Sequence, residues 1–185
     1  AEFAEGWLYG IIRNAGGVLL VADLADDDVL EQTEGVLDLL AQANIQLAAE
    51  PREQTQKRTI AVANKLDAHG AGDRLALFRE FVGDRFPVIA VSAGSGTGLD
   101  TLREAGFRLL GVLRVYSKPP GKKADMSAPF ILRVGSTVLD AAEAIHKDFV
   151  EKLRFARLWR DPGYNGQMVG RDHLLEDGDV IEIHA

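Results

Sequence analysis

Three short apolar runs constrain this chain more than anything else in it. Residues 17–23 (GVLLVAD), 58–63 (RTIAVA) and 87–91 (PVIAV) are too continuously apolar for strands with one wet face. Runs of this kind predict strands buried on both faces of a parallel sheet. Between them, apolar residues recur at helical spacing: Val29, Leu30, Val36, Leu37 and Leu40, then Leu75, Phe78, Phe81 and Val82. After the third run the spacing of Leu99, Leu102, Leu109 or Leu110, and Leu113 predicts another helix. Strand alternating with helix implies an α/β unit with helices on the faces of its sheet. The acids Asp26, Asp27 and Asp28 suit the positive start of the first of these helices. Upstream, Trp7, Leu8, Ile11 and Ile12 predict an amphipathic helix that feeds directly into the first strand.

In open parallel sheets ligands bind beyond the carboxyl ends of the strands. Asp23, Asn64 and Ser92 each stand at such an end, so residues far apart in sequence are expected to line one rim. Two segments there carry chemistry: Asn64-Lys65-Leu66-Asp67, and Ser92 to Asp100 (SAGSGTGLD). A carboxylate only accepts hydrogen bonds, and guanine offers two adjacent donors, N1–H and the exocyclic amine. Asp67 matches that pair in a bidentate, charge-assisted arrangement. Adenine has no such pair and would leave the acid unpaired, a mismatch that gives hydrogen-bonding sites discrimination on the order of 10⁴. Lys65 can lay its alkyl stem along a base while its ammonium stays in water. Asn64 can brace the loop, and the tight Ser92-Ala93-Gly94 turn can aim the Ala93 N–H at the guanine O6. A four-residue match alone arises by chance; its place at a strand end, with Ser92-Ala93 ending the next strand, distinguishes it. The glycines 94–98 do not form a dinucleotide loop, because Leu99 holds the third glycine position of G-x-G-x-x-G. They are expected to let backbone approach a base, with Asp100 opening the next helix.

The composition limits the alternatives. A hydrophobic content of 46% is enough for a core, and the absence of cysteine excludes disulfides and thiolate metal sites. No apolar run is long enough to predict a spanning helix, so no membrane association is expected and the location is read as cytoplasmic. The first 116 residues carry −6 of the net charge of −7 and the rest −1, which argues against coating nucleic acid by bulk charge. His146 and His173 lack the carboxylate pattern of a metal site, and no metal ligands or catalytic residues are assigned.

Within these 185 residues no G-x-x-x-x-G-K-[ST] occurs: Gly121-Lys122 has Tyr116 where the first glycine belongs, and Lys123 where the hydroxyl belongs. No D-x-x-G precedes the first strand. The spacing of NKLD and SAGSGTGLD resembles the guanine-specificity motifs, NKxD and SAxxGxGLD, of translation-factor-type GTPases. Phosphate and Mg²⁺ binding are therefore expected only with a first half preceding Ala1, and hydrolysis is not expected of these residues alone.

Residues 114–127 are rich in Pro, Lys and Ser and read as a linker between a partial nucleotide-binding domain, 1–113, and a small domain, 128–185. In the second part Phe130–Val134 predicts a strand. Thr137 and Asp140 predict a capping box, and Val138, Ala142, Ile145 and Phe149 one helix face. Arg154–Trp159 and Val180–Ile183 predict strands, with turns at 161–166 and 177–178. This order fits an α+β β-grasp, ubiquitin-like module. RVYSKPPGK, TVLDAAEAIHKDF, FARLW and GRDHLLEDGDVIEI resemble the linker and TGS domain of the developmentally regulated branch of the Obg-like GTPases. EFAEGWLYGIIRNAGGVLLVAD resembles the segment after that branch's switch II. The resemblance implies the C-terminal half of a P-loop GTPase domain followed by a TGS domain, with GTP or GDP held at Asn64, Lys65, Asp67, Ser92 and Ala93. It also implies a link to translation or ribosomes, with RNA, the ribosome or a protein as the partner of the TGS domain. Lys147, Lys152, Arg154, Arg157 and Arg160 form a candidate basic stripe on it, with Asp148 and Glu151 as neutralising neighbours.

Overall fold

The computed structural model describes residues 2–184, which fall into two compact units divided between Leu110 and Gly111. In the first, α1 (Glu2–Asn14) leads to β1 (Val18–Asp23), α2 (Val29–Gln42), β2 (Gln46–Ala48) and β3 (Gln56–Asn64). Then come α3 (Ala71–Val82), β4 (Val88–Ala90) and α4 (Leu99–Leu110). The sheet is wholly parallel and centred on β3. β1 runs along one side of β3; the other side is shared by β2 at its start and β4 nearer its end. The register sets Asp23 beside Asn64 and Ala63 beside Ala90, so the strands finish on a common rim.

β3 has the continuous apolar sequence of a doubly covered strand, and it is one. Ala61 and Ala63 face a core with Leu75, Phe78 and Val82 of α3, while Ile60 and Val62 pack with Val91 and Leu109 on the α4 side. β1 departs from the expectation drawn from its sequence. Leu20 and Ala22 are buried, but Leu19 and Val21 are 46% and 62% exposed. They are level with Ile60 and Val62, yet α4 packs on β3 and meets this part of the chain at Gly16 and Gly17, just before β1, where Leu109 leaves no room for a Cβ on Gly17. A continuous apolar run therefore records what the strand can bury, and the helices decide what it does bury. The short strand β2 carries no such run and was not foreseen. Leu113, expected on the face of α4, lies beyond that helix in the next strand.

The second unit is a five-stranded sheet in the order β6-β5-β9-β7-β8. It comprises β5 (Val112–Ser117), β6 (Phe130–Arg133), β7 (Phe155–Arg160), β8 (Tyr164–Val169) and β9 (Asp179–His184), with α5 (Val138–Ile145) and the short α6 (Asp148–Lys152). Here the expected linker needs correction. Residues 114–117 are the last four of the six residues of β5, which pairs antiparallel with β6 and parallel with β9. Prolines at 119 and 120 misplace the boundary, because they follow a strand that RVYS already forms. The core joins Leu113 and Val115 to Val138, Ala141, Ala142, Leu158 and Ile181. The Thr137–Asp140 capping box is present, with the Asp140 carboxylate accepting from the Thr137 N–H at 2.6 Å. Phe149 sits in α6 rather than on α5, because the first helix ends at Ile145.

Candidate functional site: the strand-end rim of the first unit

β3 ends at Asn64, and the chain then turns through Lys65 in the left-handed region (φ 62°). That turn lets the Leu66 N–H reach back to the Val91 carbonyl at 3.0 Å, while the Leu24 N–H donates to the Asn64 carbonyl at 2.9 Å. The loops after β1, β3 and β4 are thus tied together through backbone, and their side chains meet above the sheet.

The expected residues Asn64, Asp67, Ser92 and Ala93 form one connected network. The buried Ser92 hydroxyl donates to Asp67 Oδ1 at 2.5 Å and accepts the Ser95 N–H at 3.1 Å. Asn64 Oδ1 accepts the Ala93 N–H at 3.1 Å. The Ala93 donor, expected to face a ligand, is thus engaged by Asn64, which orients the Asn64 amide with its Nδ2 donor outward. Hydrogen bonding from Ser92, and then from its own backbone N–H, holds the Asp67 carboxyl below the usual carboxylate range. Asp67 is exposed, ionised at neutral pH, and keeps Oδ2 unshared with Ser92.

Lys65 joins the same rim from the other side. Its Nζ lies 2.6 Å from Asp23 Oδ2. The hydrogen bond to Lys65 is the main reason the Asp23 carboxyl is lowered, and the same contact raises Lys65. Both groups are open to solvent, so the pair orients the lysine more than it stabilises the fold. Asp26, lowered mainly by the Asp28 N–H and then by Gln32, adds a further negative charge nearby.

Two further residues hold this geometry: Arg74, which reading the sequence did not single out, and Gly98, the last glycine of the 94–98 turn. Arg74 of α3 donates Nε to the Leu24 carbonyl at 2.5 Å, another nitrogen to Asp27 at 2.8 Å, and a third to the His69 carbonyl. It fastens the loop after β1 to the loop that carries Asp67. Nothing distinguishes it in sequence from any other helix arginine. Gly98 has φ 75°, and a Cβ there would fall 2.5 Å from the Ala90 carbonyl oxygen. It closes the 92–98 loop, whose Ser92 N–H donates to the Thr97 carbonyl at 2.9 Å.

On the second unit the basic stripe is not continuous. Arg160 makes two 2.7 Å bonds to the fully buried Asp179 and also meets Glu176, which raises its pKa through Asp179 first. Lys147, Lys152, Arg154 and Arg157 are exposed. The ring of His173 lies edge-on to Tyr164 at 5.3 Å, a packing role.

A half-sheet with loops gathered at its strand ends, followed by a β-grasp unit, defines the partial G domain and TGS class of architecture. Comparison with known proteins agrees. Residues 113–185 match the TGS domain family. The chain is 47% identical over 96 residues to an uncharacterized GTP-binding protein of Methanocaldococcus jannaschii, covering 51% of this chain and 25% of that protein. It is 35% identical over 97 residues to developmentally-regulated GTP-binding protein 1 of Xenopus laevis (51% and 26%). With developmentally-regulated G-protein 1 of Arabidopsis thaliana it shares 33% over 130 residues (68% and 31%). The chain thus spans about a quarter to a third of these relatives' length. Among solved structures, the YchF GTPase of Schizosaccharomyces pombe superposes with a TM-score of 0.59 at 13% identity, over 95% of this chain and 74% of that one. A GTP binding protein from Pyrococcus horikoshii OT3 gives 0.53 at 17%, over 100% and 70%. At those identities the likeness is one of fold. The chain carries a TGS domain, and its C-terminal part is related to the developmentally regulated GTP-binding proteins.

Proposed function

We propose that the rim of the first unit reads a guanine base, and that the chain is the base-reading and TGS portion of a GTP-binding protein that works with the translation machinery in the cytoplasm. The observation that carries this is the Ser92–Asp67 contact: a buried hydroxyl fixes one carboxylate oxygen and keeps the acid ionised and outward. Asp67 then accepts from guanine N1–H and the exocyclic amine. Asn64 Nδ2 donates to the base's acceptor edge, where N7 and O6 lie, and the Ala93 N–H is shared between Asn64 and O6. The Lys65 stem, held by Asp23, lies along the ring. No G-x-x-x-x-G-K-[ST] occurs in these 185 residues, so the role proposed for them is base reading, with no hydrolytic step. The relatives' names as GTP-binding proteins support the same reading.

The test is a titration of the ¹⁵N-labelled chain with GMP, followed through the amides of Ser92, Ala93 and Gly94. GMP is expected to shift them and AMP is not, and Asp67→Asn is expected to weaken GMP by about tenfold or more, equivalent to ~1.4 kcal/mol. Equal response to AMP, or an unchanged Asp67→Asn variant, would sink the reading. A second reading concerns the second unit: its exposed cations Lys147, Lys152, Arg154 and Arg157 suit docking on RNA, the ribosome or a protein.

A further inference from the structure

On the second unit, a cavity of about 190 Å³ lies where β5 leaves the sheet. Its walls are Pro119, Pro120, Ile145, Phe149, Ile181 and Ile183. Three isoleucines, two prolines and one phenylalanine make most of the wall hydrocarbon, and Ser117 and Lys118 add its polar edge. The volume is well below the roughly 300–1,000 Å³ of sites for drug-sized ligands. It is the size of one bulky side chain, the kind of pocket that takes an anchor residue at a protein interface.

The surroundings are cationic. Lys118, which lines the pocket's edge, is already committed: its ammonium pairs with the buried Glu182 and lies 4.6 Å from the centre of the Trp159 ring. Gly166 also crowds the Trp159 ring, where a Cβ would come within 3.0 Å of it. Lys122 and Lys123 follow the Pro119–Pro120 wall, in a turn closed by the Lys122 N–H on the Pro119 carbonyl at 3.0 Å. Lys147 and Lys152 bracket Phe149 along α6. All four are exposed and form no ion pair among the described residues. Opposing them locally are Asp125, which caps Ser127, Asp148, which faces His146, and Glu151.

We propose that this pocket receives one leucine- or phenylalanine-sized side chain from an acidic segment of a protein partner. The inference rests on the docking reading of the second unit and is independent of the guanine site. The apolar cavity supplies the anchor, and the four lysines supply complementary charge that selects acidic flanks. A nucleic acid would use the lysines but gain nothing from a hydrocarbon pocket too narrow for flat stacking.

The test uses the full chain with labelled isoleucine methyls and synthetic peptides of glutamates around one central Leu, Phe or Ala. The Leu and Phe peptides are expected to shift the methyls of Ile145, Ile181 and Ile183. The Ala peptide, and the Lys122→Glu/Lys123→Glu chain with the Leu peptide, are each expected to bind about tenfold more weakly. The double variant changes only exposed side chains, and its unshifted methyl spectrum would confirm its fold. Equal binding of the three peptides, or methyls that none of them moves, would overturn the proposal. If a uridine-rich RNA oligonucleotide perturbs the lysines while every peptide leaves the methyls unmoved, docking stands and the acidic-peptide assignment falls. If neither RNA nor peptide binds, both fall.

Discussion

Asp179 has no exposed surface, and its carboxylate takes two bonds from Arg160 and one from the Glu176 N–H at 2.8 Å. Removing it would take two hydrogen bonds from a largely buried guanidinium and leave it the exposed Glu176 carboxylate, and breaking a buried pair costs about 3 kcal/mol or more. Asp179→Ala is therefore expected to lower the urea midpoint of the second unit sharply, and a shift no larger than a surface substitution gives would contradict this. Asp177 makes the opposite kind of contact, open to water. It accepts from the Arg114 N–H, Nε and a terminal nitrogen at 2.6–3.0 Å. The Arg114 hydrogen bond holds the Asp177 carboxyl below the usual carboxylate range. A depressed folded pKa means the stabilisation is complete above the unfolded value, about 3.9, and fades as pH falls through the folded one. Asp177→Asn should flatten the acid limb of the stability curve below about pH 4, and leave its shape near neutrality unchanged. At this scale the sequence singled out Asn64, Asp67 and Ser92 by their place at strand ends, and the structure brings them together. Arg74 was silent, because its role comes from three partners that sequence separation conceals.

Among the elements, the 92–98 loop is where one atom decides most. Gly98→Ala places a methyl against the Ala90 carbonyl oxygen at a positive φ, and the loop cannot yield without moving β4. Backbone strain of this sort costs on the order of 1–3 kcal/mol. The expected outcome is faster amide exchange at Ser92 and Gly96 and loss of any GMP-dependent shifts there; native exchange would mean the strand end adapts freely. The strands themselves were legible where burial matched hydrophobicity, as in β3, and misleading where it did not, as in β1. β2 was missed because three residues, Gln46, Leu47 and Ala48, carry no periodicity, and only pairing with Gln56–Arg58 makes them a strand.

For the whole molecule, the position of β5 determines how the chain can be divided. β5 lies between β6 and β9, so it is interior to the second sheet rather than a lead-in. A fragment of residues 111–185 is expected to fold cooperatively, whereas 118–185 loses a central strand with the buried Leu113 and Val115 and should remain unfolded by circular dichroism. Equal folding of both would show that residues 112–117 are dispensable. The same consideration explains the misplaced linker: proline and lysine mark exposed backbone from Pro119 onward, but residues 114–117 alternate between the two sheet faces, Val115 inward and Arg114 and Tyr116 outward.

By itself, the sequence determined that strands alternate with helices, that polar side chains, the Asp67 carboxylate among them, gather at the ends of those strands, and that a β-grasp unit follows. These are local patterns of hydrophobicity and hydrogen-bonding type, which survive in one dimension. Tertiary structure alone decided which face of β1 stays open, that Ala93 answers to Asn64, that Arg74 locks two loops, and that Arg160 leaves the basic surface for Asp179. Each of those depends on which groups from distant segments come within hydrogen-bonding reach. The rim at Asn64–Asp67 is thus written in the sequence, and its rigidity is supplied by the fold.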